Sequence, residues 1–153
     1  MRLAEALIQR ADYQKRVEQL RQRIVNNVKV QEGDKPAEDP NDLLAEMERI
    51  AAELVLLIQQ INRTNSATVL GPGSTTIADA IAERDILRLR NGVYRAAADA
   101  AVIRQDRYSK SEVRFQSTVD VAEMQETADD LAREIRELDT RIQEANWRVD
   151  LLP

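Results

Sequence analysis

VAEMQETADDLAREIRELDTRIQEANWRVDLL, residues 121–152, places Val121, Met124, Ala128, Leu131, Ile135, Leu138, Ile142, Ala145, Val149 and Leu152 three and four residues apart without a miss. Such a seam is the mark of a long helix that buries one stripe against a partner. No polar residue enters it, so it acts as a wall rather than as a site. Asp129/Arg133, Glu137/Arg141 and Glu144/Arg148 stand four apart and are expected to pair along the helix.

Composition extends this reading to the rest of the chain. The 153 residues are 43% hydrophobic, enough for one well-buried core and too few for two ordinary domains, so a single domain is expected. With one Phe, one Trp and three Tyr, the apolar content is aliphatic and rich in Ala, which favours helix packing over sheet sandwiches. Lacking Cys, the chain has no thiolate nucleophile and no disulfide; lacking His, it has no zincin motif, no His-containing triad and no Glu-x-x-His ligand set. No metal or cofactor is expected.

The net charge of −5 argues against general nucleic-acid binding. Residues 84–114 run against it, with eight Arg or Lys (84, 88, 90, 95, 104, 107, 110, 114) against four acids (85, 99, 106, 112). A signal-peptide apolar run is missing from the first ten residues, and the longest aliphatic run, Leu54–Ile58, is far short of a membrane span. A cytoplasmic location is the expectation.

Six of the eight Gly and Pro residues fall between Gly33 and Pro40 or between Gly71 and Gly73, and these stretches cut the chain into helices. The spacing predicts four, at about 2–27, 41–63, 76–103 and 120–150. The first carries Leu3, Ala6, Tyr13, Val17, Leu20 and Ile24 on one stripe. In the second, which starts after Pro40 with Asn41 as cap or first-turn residue, Leu43, Met47, Ile50, Leu54, Leu57 and Ile61 form one stripe and Leu44, Ala51 and Ile58 another. The third opens on a Thr76/Asp79 capping pair and has two faces, Ile77, Ala80, Leu87, Tyr94, Ala98 and Ala101 on one and Ile86, Leu89, Val93, Ala97 and Ala100 on the other. Asp120 with Glu123 reads as the capping box of the fourth.

Between the third and fourth helices the rhythm changes, because Val113, Phe115 and Val119 alternate with Arg114, Gln116 and Thr118 at period two. This alternation predicts a strand, and a strand needs a partner for its backbone. Val28-Lys29-Val30-Gln31 alternates as well. The fold expected is therefore all-α: four long helices in an antiparallel up-down bundle or as helical hairpins, with a short β-like ribbon of about 28–31 and 112–118 at one end. Pairing of the ribbon within one chain or between two is equally allowed.

The same end gathers polar side chains. Asn26, Asn27, Lys29 and Glu32 lie near the expected position of Arg104, Arg107 and Tyr108, a set able to hold a small anion between guanidinium groups. Helix capping and solvation of the ribbon are the favoured account of these residues, since loop polarity alone has little functional specificity. Gly71-Pro72-Gly73 lacks the Lys and the preceding strand of a phosphate loop, and reads as a turn that leads into the Thr76 cap.

Asn26-Asn27-Val28-Lys29-Val30-Gln31-Glu32-Gly33-Asp34, Ile61-Asn62-Arg63-Thr64-Asn65, Arg104-Gln105-Asp106-Arg107-Tyr108-Ser109 and Leu138-Asp139-Thr140-Arg141-Ile142-Gln143 with Asn146-Trp147 together resemble the septicolysin-like family of small bacterial helical proteins. The resemblance spans almost the whole chain and brings no catalytic residues with it. The family name implies a membrane-active, pore-forming cytolysin.

Taken from the residues themselves, the expectation is a non-enzymatic homo-oligomer with a structural or interaction role. Several helices carry more apolar surface than one antiparallel bundle needs to bury, so the partner is a second copy of the chain. A cytolysin-like protein acting on membranes and a bundle that binds small anions are the alternatives.

Overall fold

The computed structural model describes residues 1–103 and 113–153, through which run four helices: α1 (Leu3–Asn27), α2 (Pro40–Ala67), α3 (Ile77–Ala101) and α4 (Val121–Arg148). Each starts where a carboxylate or hydroxyl takes up a backbone amide at the helix entrance. Glu5 accepts from the Arg2 amide at 2.7 Å, and Asp39 accepts from Asn41 at 2.8 Å with Pro40 as the first helical residue. Thr76 and Asp79 cap each other reciprocally, at 3.1 and 2.9 Å. Asp120 accepts from the Glu123 amide at 3.1 Å.

The chain divides into two compact units, one made of Met1–Val69 with Gln143–Pro153 and the other of Leu70–Ile142. In the first unit α1 and α2 form an antiparallel hairpin. Arg23 pairs with Glu38, Arg16 with Glu46, and the Tyr13 hydroxyl donates to Glu53 at 2.8 Å, so α1 positions descend as α2 positions rise. Leu20, Leu43 and Ile50 form its buried centre, with Tyr13, Val17, Ile24 and Met47 packed around them. The unit closes on itself through backbone bonds from Leu3 to the Val149 carbonyl and from Leu151 to the Met1 carbonyl, both 2.9 Å.

In the second unit α3 and residues 121–142 of α4 form another antiparallel hairpin. The Asn91 amide donates to the Ala128 carbonyl at 2.6 Å, and Arg88 and Arg84 reach Asp139 at 2.8 and 3.1 Å. Ile77, Ala80, Leu87 and Ala98 of α3 and Ala128, Leu131, Leu138 and Ile142 of α4 are buried. The turn before α3 places Gly71 at φ +79°, and Arg141 donates to the neighbouring Leu70 carbonyl at 3.2 Å.

The all-α expectation holds, as two hairpins, but the ribbon is corrected: neither Val28–Gln31 nor residues 113–118 form a strand. The physical reason is local. The Val28 amide returns to the Ile24 carbonyl and the Gln31 carbonyl accepts from Asp34, which commits this backbone to a helix end and a turn. Val113 and Phe115 are 68% and 79% exposed, so their alternation with polar residues marks no buried face.

Three helix ends and the pairing along α4 also differ from expectation, α3 stopping at Ala101 rather than about 103. The second helix continues four residues past 63, because the buried Thr64 hydroxyl bonds back to the Gln60 carbonyl at 2.8 Å and accepts from the Leu152 amide at 2.9 Å. α4 stops at Arg148, since the residues beyond it pair with the backbone at Met1 and Leu3. Arg133 pairs with Asp130, three residues away, and Arg141 turns to Leu70.

Candidate functional site

The expected polar cluster is placed only in part, because Arg104, Arg107 and Tyr108 lie outside the described residues. Asn27 is buried, and its amide is engaged at both ends: Nδ2 donates to the Arg23 carbonyl at 2.8 Å and Oδ1 accepts from the Glu38 amide at 3.0 Å. Asn26 is exposed and accepts from Gln22 at 3.3 Å. Lys29 and Glu32 are exposed on the loop that follows. What Asn27 does here is tie that loop to the end of α1.

Along the α1/α2 hairpin, three carboxylates are held by partners on the facing side. The Arg23 guanidinium holds the Glu38 carboxyl below its ordinary value, Arg16 does the same for Glu46, and the Tyr13 hydroxyl, with help from Arg49, does so for Glu53. In the second unit, burial alone would lower the Arg84 pKa, but its bonds to Asp85 and Asp139 outweigh that and raise it. Such pairs fix helix register. Among the described residues, no group of three or more acids is placed to hold a metal ion.

The feature that these pairings leave unexplained is the outer face of α3. Ala82, Ile86, Leu89, Val93, Ala96 and Ala100 follow one another at spacings of four, three, four, three and four, and every one is exposed. Ile86, Leu89 and Val93 are 56%, 65% and 62% exposed, whereas Leu87, on the opposite face, is 6% exposed. A helix with apolar stripes on two sides is normally covered on both. Here α4 covers only the inner one.

The sequence-based outer face of Ile86, Leu89, Val93, Ala97 and Ala100 is thus present with one change. Ala97 is half-buried, and Ala82 and Ala96 extend the stripe in its place. Their signal was the unbroken four-three spacing itself, which small side chains carry less visibly than Leu or Ile. α2 shows a smaller patch of the same kind at Val55 and Leu56, 54% and 61% exposed, so this helix is less enclosed than its two stripes suggest. In the first unit a cleft of about 310 Å³ lies between α1 and the end of α4, with Trp147 at its edge, 58% exposed, and Asn146 buried within it.

No helix of the described residues is long and apolar enough to cross a membrane. The model of a family described as a family of unknown function (DUF6847) matches residues 10–151. Among solved structures, the crystal structure of a functionally unknown conserved protein from Corynebacterium diphtheriae is 43% identical to the chain, covers 99% of each of the two chains and superposes with a TM-score of 0.94. No curated protein matches.

Proposed function

We propose, for a chain that belongs to the DUF6847 family of unknown function, that it is a non-enzymatic helical protein whose role is assembly and whose copies join through exposed apolar helix faces. The observation that carries this reading is the outer stripe of α3. Six residues run along it without a polar interruption, and its three largest side chains are more than half exposed. Isolated surface hydrophobics are ordinary, but a continuous stripe over five helical turns is a surface that association covers.

The chemistry of the chain supports the same reading. It contains no His and no Cys, and the carboxylates of Glu38 and Glu46 are held ionised by Arg23 and Arg16 of α1, the opposite of the raised pKa that a general acid requires. Arginine pairs of this kind organise helices. Sedimentation velocity or light scattering at micromolar concentration is the direct test. An assembly larger than one chain is expected, and a strict monomer overturns the reading.

A further inference from the structure

We infer that the outer face of α3 is one half of a parallel two-stranded coiled coil, in register with the same face of a second copy of the chain. The inference rests on the assembly reading above and adds a partner, an orientation and a register. Three observations support it: which side chains occupy the stripe, which charges flank it, and which flanking positions are small.

In heptad terms Ile86, Val93 and Ala100 fall at a positions and Ala82, Leu89 and Ala96 at d. β-branched residues at a with Leu at d favour parallel dimers, because their side-chain vectors fit the different packing geometries of the two layers. Ile86, Leu89 and Val93 have that arrangement at the centre of the stripe. The alanines on either side permit close approach of a second helix.

The flanks choose the partner. In a parallel pair, a g residue meets the e residue five positions later on the other chain. Here g is Asp85 and the matching e is Arg90, so two copies form two symmetric ion pairs about the Leu89 layer, Asp85 with Arg90 of the partner copy and the reverse. The next such pair is Gly92 with Ala97, two small residues that remove any steric or charge conflict. Arg90 is exposed and makes no ion pair or side-chain hydrogen bond among the described residues, while Asp85, 58% exposed, accepts from Arg84 at 3.0 and 3.2 Å and lies 4.0 Å from Arg88, all through Oδ1. An antiparallel pair about the same centre would instead set Arg90 against Arg90 and Asp85 against Asp99, repulsive on both flanks. The surface is self-complementary in one orientation only.

Because the chain has no Cys, single cysteines report the geometry cleanly. Ala82→Cys and Ala96→Cys each place a thiol at a d position, where parallel copies bring identical residues together. The antiparallel arrangement separates the two Ala82 positions by about 27 Å, eighteen residues of helix rise, well beyond disulfide reach. Under mild oxidation both variants should become covalent dimers at least about tenfold faster than Arg95→Cys, which lies off the stripe. Arg90→Asp should weaken self-association about tenfold, and adding Asp85→Arg to it should restore most of the loss, with circular dichroism confirming that every variant is folded.

A monomeric wild-type protein overturns the assembly reading and this inference together. An assembly in which Ala82→Cys and Ala96→Cys link no faster than Arg95→Cys overturns the parallel stripe and leaves assembly standing. Rapid linkage of Ala82→Cys to Ala100→Cys in a mixture, without self-linkage of either, identifies the antiparallel pair instead. Failure of Asp85→Arg to rescue Arg90→Asp overturns the assigned register.

Discussion

At Asn27 one side chain joins two parts of the chain, the last turn of α1 and the approach to α2. Replacing it with Ala leaves the Glu38 amide without its acceptor, and urea unfolding should show a loss of about 1–3 kcal/mol. Thr64→Val should cost a comparable amount, about 1–3 kcal/mol, since it removes the acceptor of the Leu152 amide from a fully buried position. Acid should act through Glu38, Glu46 and Glu53. Their folded pKa values lie below the ordinary 4.5, so the stability they contribute is complete above that value and is lost as pH falls through the lower folded values. The urea midpoint should therefore hold steady from about pH 7 to pH 5 and fall below about pH 4. Asn27 was visible in the sequence as a notable polar residue. Its two backbone partners were not, because one of them, Glu38, lies eleven residues away, across a loop whose path no local pattern specifies.

At the scale of elements, helices were legible and the ribbon was not, for related physical reasons. A stripe at spacings of three and four over five or more turns has few explanations besides a helix, and the caps at Thr76 and Asp120 repeat that information in the chemistry of amide donors, whereas the cap of α2 is Asp39, with Asn41 in the first turn. Alternation over a few residues is weak by comparison, because it identifies a strand only where one side is buried. Phe115, 79% exposed, has no such side. The α3 stripe was legible as a second face, yet whether α4 or solvent covered it depended on tertiary packing. Gly92 lies in α3 with open space around the place a Cβ would occupy, so Gly92→Ala should raise helix stability by about 1 kcal/mol, read from thermal unfolding at a fixed protein concentration. Leu89→Glu should leave the α-helical signal intact and abolish self-association, since residue 89 is 65% exposed and its substitution empties no core. Gly71→Ala should destabilise the turn by about 1 kcal/mol or more, because φ +79° is unfavourable for a residue with a side chain.

At the scale of the whole molecule, the two units differ in how the chain supplies them. Residues 70–142 are one uninterrupted stretch, whereas the first unit draws on both Met1–Val69 and Gln143–Pro153. The bonds that close the first unit, Leu3 to Val149 and Leu151 to Met1, join residues almost the full length of the sequence apart. Contacts of such separation carry a high loop-closure entropy and form late. Residues 143–153 follow both hairpins in synthesis, so the α1/α2 hairpin leaves the Leu3 amide and the Thr64 hydroxyl without their partners until the last segment of its unit arrives. A chain cut before residue 143 should therefore keep the α1/α2 hairpin but lose the partners of Leu3 and Thr64, and expose more apolar surface to a dye such as ANS than the full chain does.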